Sequence, residues 1–169
     1  MAAKQFELLS RQHAHAREAF ACGIPELDAY LKRQAGQEMR RSVAVVWVLY
    51  DTEQDTIVGY YSLSTASVVP GELPAETVRR LPRYPALPAM LIGRLAVDTR
   101  YRRQGFGELL LFDALRRALQ ISQSIGSVAV VVDARDRNSE QFYERYGFRR
   151  LTGEERRLFL PMAVIASIV

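Results

Sequence analysis

Gly93-Arg94-Leu95-Ala96-Val97-Asp98-Thr-Arg100-Tyr-Arg102-Arg103-Gln104-Gly105-Phe106-Gly107-Glu-Leu-Leu110 decides how the chain is read. Met90 to Val97 reads as a strand. An arginine-rich turn follows, and Gly105 to Leu119 has the spacing of an amphipathic helix. Leu111, Leu115 and Ala118 fall on one face of it, and Glu108, Arg116 and Arg117 on the other. A helix start leaves several amide N–H groups without intrahelical partners, and the macrodipole favours an anion there. Glycine lets a pyrophosphate approach the backbone, and Arg102 and Arg103 add charge. The stretch is an anion cradle in its chemistry. It is not a Walker A loop, because no Gly-Lys-Ser/Thr follows, nor a dinucleotide fingerprint, because the third glycine is missing. As spacing alone, Gly-x-Gly also suits a plain strand-to-helix turn.

Upstream, Val43 to Tyr50 and Ile57 to Leu63 are two strand-like runs joined by the polar stretch Asp51 to Asp55, which predicts a hairpin. Before them, Pro25 stands in a first helical turn with Leu27, Tyr30, Leu31 and Ala35 behind it as a buried stripe. Residues 70 to 88 hold five of the seven prolines, so an irregular connection is expected, with a short helix at Glu76 to Leu81. Downstream, Val128 to Val132 is nearly all apolar, as in a strand covered on both faces. Asn138 and Gln141 read as an N-cap pair, for a helix ending at Gly147. A last strand is expected from Leu158 to Ile165, with Pro161 at a bulge or an edge. A hairpin followed by strand, helix, strand, helix, strand indicates an α/β fold with a mixed sheet.

At 169 residues and 49% hydrophobic, the chain suits one core and one domain, 1–169. Its one cysteine, Cys22, rules out an internal disulfide and a zinc site built on several cysteines. Met1 to Gln12 lack the order of a signal peptide, and no run approaches the length of a membrane helix, so a cytoplasmic protein is expected. The net charge of +4 decides little by itself. Its distribution says more. Arg79, Arg80, Arg83, Arg94, Arg100, Arg102 and Arg103 face a single acid, Asp98, between Thr77 and Gln104, and Lys32, Arg33, Arg40 and Arg41 surround Glu38. Such clusters collect phosphates, or are solvated faces with counter-charges elsewhere in the fold. His13 and His15, without a carboxylate pattern, read as surface residues rather than metal ligands. Cys22 reads as a small buried residue.

Arg102-Arg-Gln-Gly105-Phe-Gly107 resembles the pyrophosphate-binding motif of the GNAT N-acetyltransferases. Leu95-Ala96-Val97 resembles that family's thioester-facing strand. Asn138-x-x-x-Phe142-Tyr143-x-x-Tyr146-Gly147-Phe148 is similar to its later motif. Further stretches resemble the GNAT toxins of type II toxin–antitoxin modules: Phe20 to Leu31, Val58 to Leu63 and Leu87 to Asp98.

The resemblance implies a GNAT acyl-CoA N-acyltransferase fold, a mixed central sheet with helices on both faces. It implies acetyl-CoA as co-substrate and no metal. It places coenzyme contacts at Leu95, Ala96, Val97, Arg102, Arg103, Gln104, Gly105, Phe106, Gly107, Asn138, Phe142 and Tyr146. Tyr143 matches the tyrosine that protonates the leaving sulfur, or else it only packs beside Phe142 and Phe148. The resemblance further implies acetylation of the α-amino group on charged tRNA, a ribbon-helix-helix antitoxin that brings the pair to operator DNA, and a homodimer. With tRNA as substrate, Lys32, Arg33, Arg40, Arg41, Arg79, Arg80, Arg83 and Arg94 become candidate backbone contacts, Arg94 being equally a structural partner. Two other readings share the fold: a GNAT enzyme for a protein or small-molecule amine, and a non-catalytic regulator that binds a partner or nucleic acid.

Overall fold

The structure is a computed structural model, and it describes residues 3–153 and 156–169. Among the described residues, seven strands form one mixed sheet: β1 (Lys4–Leu8), β2 (Val45–Asp51), β3 (Thr56–Val68), β4 (Leu87–Val97), β5 (Ala129–Asp133), β6 (Arg149–Arg150) and β7 (Arg157–Pro161), in the order β1-β2-β3-β4-β5-β7-β6. The helices are α1 (Ala14–Ala19), α2 (Pro25–Ala29), α3 (Ala35–Arg40), α4 (Ala75–Val78), α5 (Phe106–Ser122), α6 (Arg137–Arg145) and α7 (Met162–Ile168). Among the described residues, no helix is long and apolar enough to cross a membrane. Two compact units divide the chain. One comprises residues up to Ser64 together with Gly93–Ala114, and the other Thr65–Ile92 with Leu115–Val169.

In the first unit, β1 pairs antiparallel with β2 from Lys4↔Asp51 to Leu8↔Trp47, and β2 with β3. The β2–β3 register slips between Leu49↔Gly59 and Tyr50↔Ile57, so Val58 is an extra residue on β3. A bulge frees its backbone groups, and the Val58 carbonyl accepts the N–H of Asp98 at 2.8 Å. Pro25 opens α2 at its first position, as expected. A π turn, Tyr30–Gln34, joins α2 to α3. The predicted stripe of Leu27, Tyr30, Leu31 and Ala35 is buried, packed with Phe20, Val46, Val48 and Tyr60. Each large apolar side chain buried there contributes about 1.5–3 kcal/mol. Gly59 is required by the packing: a Cβ would stand 2.6 Å from Leu110 Cδ1 and 2.7 Å from the Ala96 carbonyl oxygen.

In the second unit, β4 runs parallel to β5 with Met90↔Val130, Leu91↔Val131 and Ile92↔Val132 in register, and β5 pairs antiparallel with β7. Its core joins Val68, Leu87, Ala129, Val131, Leu151 and Phe159. Two expectations are corrected here. The last strand ends at Pro161, which becomes the N-cap of α7, so Met162 to Ile168 is helical. Proline lacks the N–H to continue a ladder but suits a helix start. The cap of α6 is Asp136, whose carboxylate accepts the Ser139 N–H at 2.9 Å; Asn138 lies inside the helix. The helix starts two residues earlier than Asn138 and Gln141 predict, because the Asp136 carboxylate takes the free N–H of its first turn. The irregular segment holds the 3-10 turn Pro70–Glu72 and the four-residue α4, which is shorter than the predicted Glu76–Leu81.

Candidate active site

The arginine-rich turn is held by its own strand end. Asp98, 1% exposed, caps the 3-10 turn Thr99–Tyr101 by accepting the Arg100 N–H. Its two oxygens also take a fork from Arg100 Nε and Nη2, both at 2.9 Å, and the Ala21 N–H at 3.1 Å. Burial raises the Asp98 pKa, yet the hydrogen bonds from Arg100 and Ala21 outweigh it and hold the carboxyl below its ordinary value. Sequence reading counted Asp98 only as an acid among arginines. Its signal was an Asp at a strand end, two residues before an arginine.

Arg102 donates from Nη2 to the Cys22 carbonyl at 3.0 Å. This needs Gly23, at φ +88°, because a Cβ there would meet that same nitrogen at 2.6 Å. Arg103 and Gly105 both take left-handed backbone, at φ +60° and +83°, and such alternation gathers N–H groups into anion-binding concavities. Over Gly105 no atom comes within 4 Å of where a Cβ would stand. The backbone before the first turn of the 17-residue α5 is therefore open to close approach. Arg103, Gln104 and Gly105 are exposed, and Phe106 and Gly107 half-buried. The Phe106 ring packs edge-on to Tyr101 at 5.9 Å with the Lys4 ammonium at the same distance. Open glycine, left-handed turn and helix start together fit a pyrophosphate. In β4, Ala96 is buried, and Leu95 and Val97 are half-buried.

On α6, Tyr143 is 6% exposed, its ring edge-on to Phe142 at 5.1 Å and to Phe148 at 5.4 Å. Phe142 also meets Tyr146 at 5.3 Å. Burial above all, with Asp133 adding to it, raises the Tyr143 pKa, so the phenol keeps its proton throughout the neutral range. Asn138 is exposed at the start of α6. The same helix carries a buried acid that sequence reading missed. Glu140, 2% exposed, receives Arg150, Arg156 at 3.3 Å and Arg137 at 3.6 Å.

Arg94 lies on the Tyr30 ring, its guanidinium carbon 3.7 Å from the ring centre. Lys32 is half-buried, and Arg33, Arg40 and Arg41 are exposed. In the second unit Arg79 and Arg83 line one pocket of about 740 Å³, whereas Arg80 lines another of about 330 Å³ with Arg149 and Phe159. His13 is not a surface residue. It is fully buried, accepts the Ser10 N–H at Nδ1, and sets Nε2 2.8 Å from a Glu7 oxygen. No group of three or more His, Cys, Asp or Glu among the described residues could hold a metal ion. Cys22 is buried, and burial first, then Asp28, pushes its thiol up to about 11.

Residues 15–164 match the acetyltransferase (GNAT) domain. The probable toxin TacT of Sinorhizobium fredii is 32% identical, over 92% of this chain and 90% of that one. A tRNA-acetylating toxin of Mycobacterium tuberculosis is 31% identical, over 89% of both. Among solved structures, AtaT complexed with acetyl-methionyl-tRNAfMet superposes with a TM-score of 0.90 at 26% identity, over 98% of each chain. AtaTR bound with AcCoA gives 0.86 at 26%, over 99% of each. With the motif turn, the fold and these relatives in agreement, the chain belongs to the GNAT acetyltransferases, as an acetyl-CoA-dependent enzyme of the group that includes the TacT-type toxins.

Proposed function

We propose that the protein is the toxin of a type II toxin–antitoxin pair, which moves the acetyl group of acetyl-CoA to the α-amino group of aminoacyl-tRNA and so blocks translation. One observation carries this: a relative named a tRNA-acetylating toxin matches across 89% of both chains, and the matched region includes an open glycine turn at a helix start. The solved AtaT complex with acetyl-methionyl-tRNAfMet supports the same substrate class.

Acetyl-CoA supplies the acyl group as an activated thioester. In this reading the backbone of Arg102 to Gly107 holds the pyrophosphate, with Arg102, Arg103 and Gln104 contributing polar groups. Leu95 to Val97 present backbone N–H to the carbonyl oxygen where charge develops. Asn138, Phe142 and Tyr146 complete the coenzyme contacts. Tyr143 donates its phenolic proton to the departing sulfur, and burial keeps the phenol in its protonated form at working pH. A free α-amine has pKa near 7.7–8.0, and esterification of its carboxyl lowers that further, so a neutral fraction exists without a strong base. Lys32, Arg33, Arg40, Arg41, Arg79, Arg80, Arg83 and Arg94 position the RNA backbone. The chain works as one catalytic domain and a homodimer in the cytoplasm, with a ribbon-helix-helix antitoxin as partner and operator DNA reached through it.

The test is transfer from radiolabelled acetyl-CoA to total tRNA, charged and uncharged in parallel. Label entering only the charged pool, and released when the aminoacyl ester is hydrolysed, is the expected result. Label in neither pool, with acetyl-CoA binding intact, refutes tRNA as substrate and points to protein or small-molecule amines.

A further inference from the structure

Arg11, Arg17 and Arg40 reach one pocket of about 340 Å³ in the first unit. They come from three separate elements: the 3-10 turn Arg11–His13, helix α1 and the last turn of α3. Two of the guanidiniums converge on the space over Gly36, where a Cβ would stand 3.3 Å from Arg40 Nη1 and 3.6 Å from Arg17 Nη2. Glycine keeps that space clear. Arg17 is fixed there by its backbone partners. Its Nε and Nη2 donate to the Leu31 carbonyl at 3.0 and 2.8 Å, and Nη2 also to Lys32 at 3.3 Å, both carbonyls belonging to the π turn.

Among the described residues, no carboxylate stands within 4 Å of any of the three guanidiniums. Glu18 acts on Arg17 electrostatically without pairing to it, and two other neighbouring acids have partners of their own. Glu7 is bound by Gln5, Gln12 and His13, and Glu38 accepts the Tyr30 hydroxyl at 2.7 Å. Burial, and then Arg40 against the opposing effect of Glu18, lowers the Arg17 pKa. Like charges gathered without an ion-paired acid are unfavourable until an anion completes the set.

We propose that this pocket seats a backbone phosphate of the RNA substrate, as a site distinct from the coenzyme turn. The inference rests on the tRNA reading above. Arginines from three elements, with Ser10 also in the lining and the Arg17 and Arg40 guanidiniums over the same glycine, suit the several oxygens of a phosphodiester. The charge continues along the same helical segment through Lys32, Arg33 and Arg41, as a polyanion with regularly spaced charges requires. A single protein carboxylate needs neither feature.

The test is the double variant Arg11→Gln, Arg40→Gln, with Arg17 kept because it binds the π-turn carbonyls. Filter binding of charged and uncharged tRNA is measured over a salt series, with acetyl-CoA affinity and Tm as controls of folding. Affinity for both tRNA forms is expected to fall about ten-fold or more near 0.1 M salt, and the log–log salt slope to become shallower by about 1 to 2. Equal affinity and slope, in a preparation whose wild type acetylates charged tRNA, overturns this inference alone. A wild type that acetylates no charged tRNA overturns the functional reading and this site with it. Retained tRNA binding with loss of a protein partner would assign the pocket to a carboxylate, and that also overturns the proposal.

Discussion

At the scale of single residues, Tyr143 carries the sharpest expectation. A buried phenol between two rings is held by packing whether or not it works as an acid, so removing only the hydroxyl separates the two roles. Tyr143→Phe keeps both edge-on ring contacts. Acetyl transfer is expected to fall by about 10²-fold or more, with acetyl-CoA affinity within a few-fold of wild type. Equal turnover would leave Tyr143 as core alone. The pH profile adds an independent check. The acid acts in its protonated form, and burial raises its pKa, so its loss belongs above the ordinary tyrosine value near pKa 10. From neutral pH to about 10, Tyr143 is expected to contribute no falling limb to kcat.

At the scale of elements, β3, β4 and α5 meet at Gly59, where a methyl group would sit inside contact distance of Leu110 and the Ala96 carbonyl. Ala96 Cα carries that carbonyl on rigid strand backbone, which cannot swing aside like a side-chain tip. Gly59→Ala is expected to destabilise the fold by about 1–3 kcal/mol, read from denaturant midpoints at constant slope. An unchanged midpoint would mean that the strands separate there at little cost. The strongly patterned elements were legible in the sequence for a physical reason. In α2, β5 and α5, apolar spacing and burial agree, and nothing competes with them. At the start of α6 the reading settled on Asn138 and passed over Asp136, which caps the helix two residues earlier. Beyond Pro161 the apolar residues Met162, Val164 and Ile165 suit strand or helix alike, and short apolar runs carry too little period to decide. His13 was misplaced because its partners, Glu7 and the Ser10 N–H, depend on a chain reversal that spacing does not reveal.

At the scale of the whole molecule, charge sets the expectations. The turn between β4 and α5 was legible from the spacing of its glycines and arginines, but its support was not. Asp98 reaches back to Ala21, and Arg102 to Cys22, across some eighty residues of sequence. Arg79, Arg80 and Arg83 looked like one cluster, whereas the fold turns Arg80 towards a different pocket from the other two. Changing all three to alanine is still expected to weaken tRNA binding and flatten its salt dependence; an unchanged slope would return them to ordinary solvated surface. Acid stability follows from the buried carboxylates. Asp98 is held down by Arg100 against its own burial, and Glu140 chiefly by Arg150. Depressed folded-state values contribute stability that is present above the unfolded pKa, about 3.9 for Asp and 4.3 for Glu. It is lost as pH falls through the folded values. Tm is therefore expected to stay level from pH 7 to about 5 and to decline below 4, with Asp98→Asn flattening the decline. A Tm already falling between pH 7 and 5 would place the acid-sensitive groups elsewhere.

The loop at Cys22 gives the molecule a built-in reporter. The only sulfhydryl in the chain sits on the residue whose carbonyl receives Arg102, and it is both covered and kept in its unreactive protonated form. Its alkylation rate by a maleimide therefore clocks how often that loop lets go of the arginine-rich turn, with no engineered label. In the intact protein the reaction should be slow, and Arg102→Ala should quicken it without unfolding the chain. A rate unaffected by that change would show that loop and turn open independently.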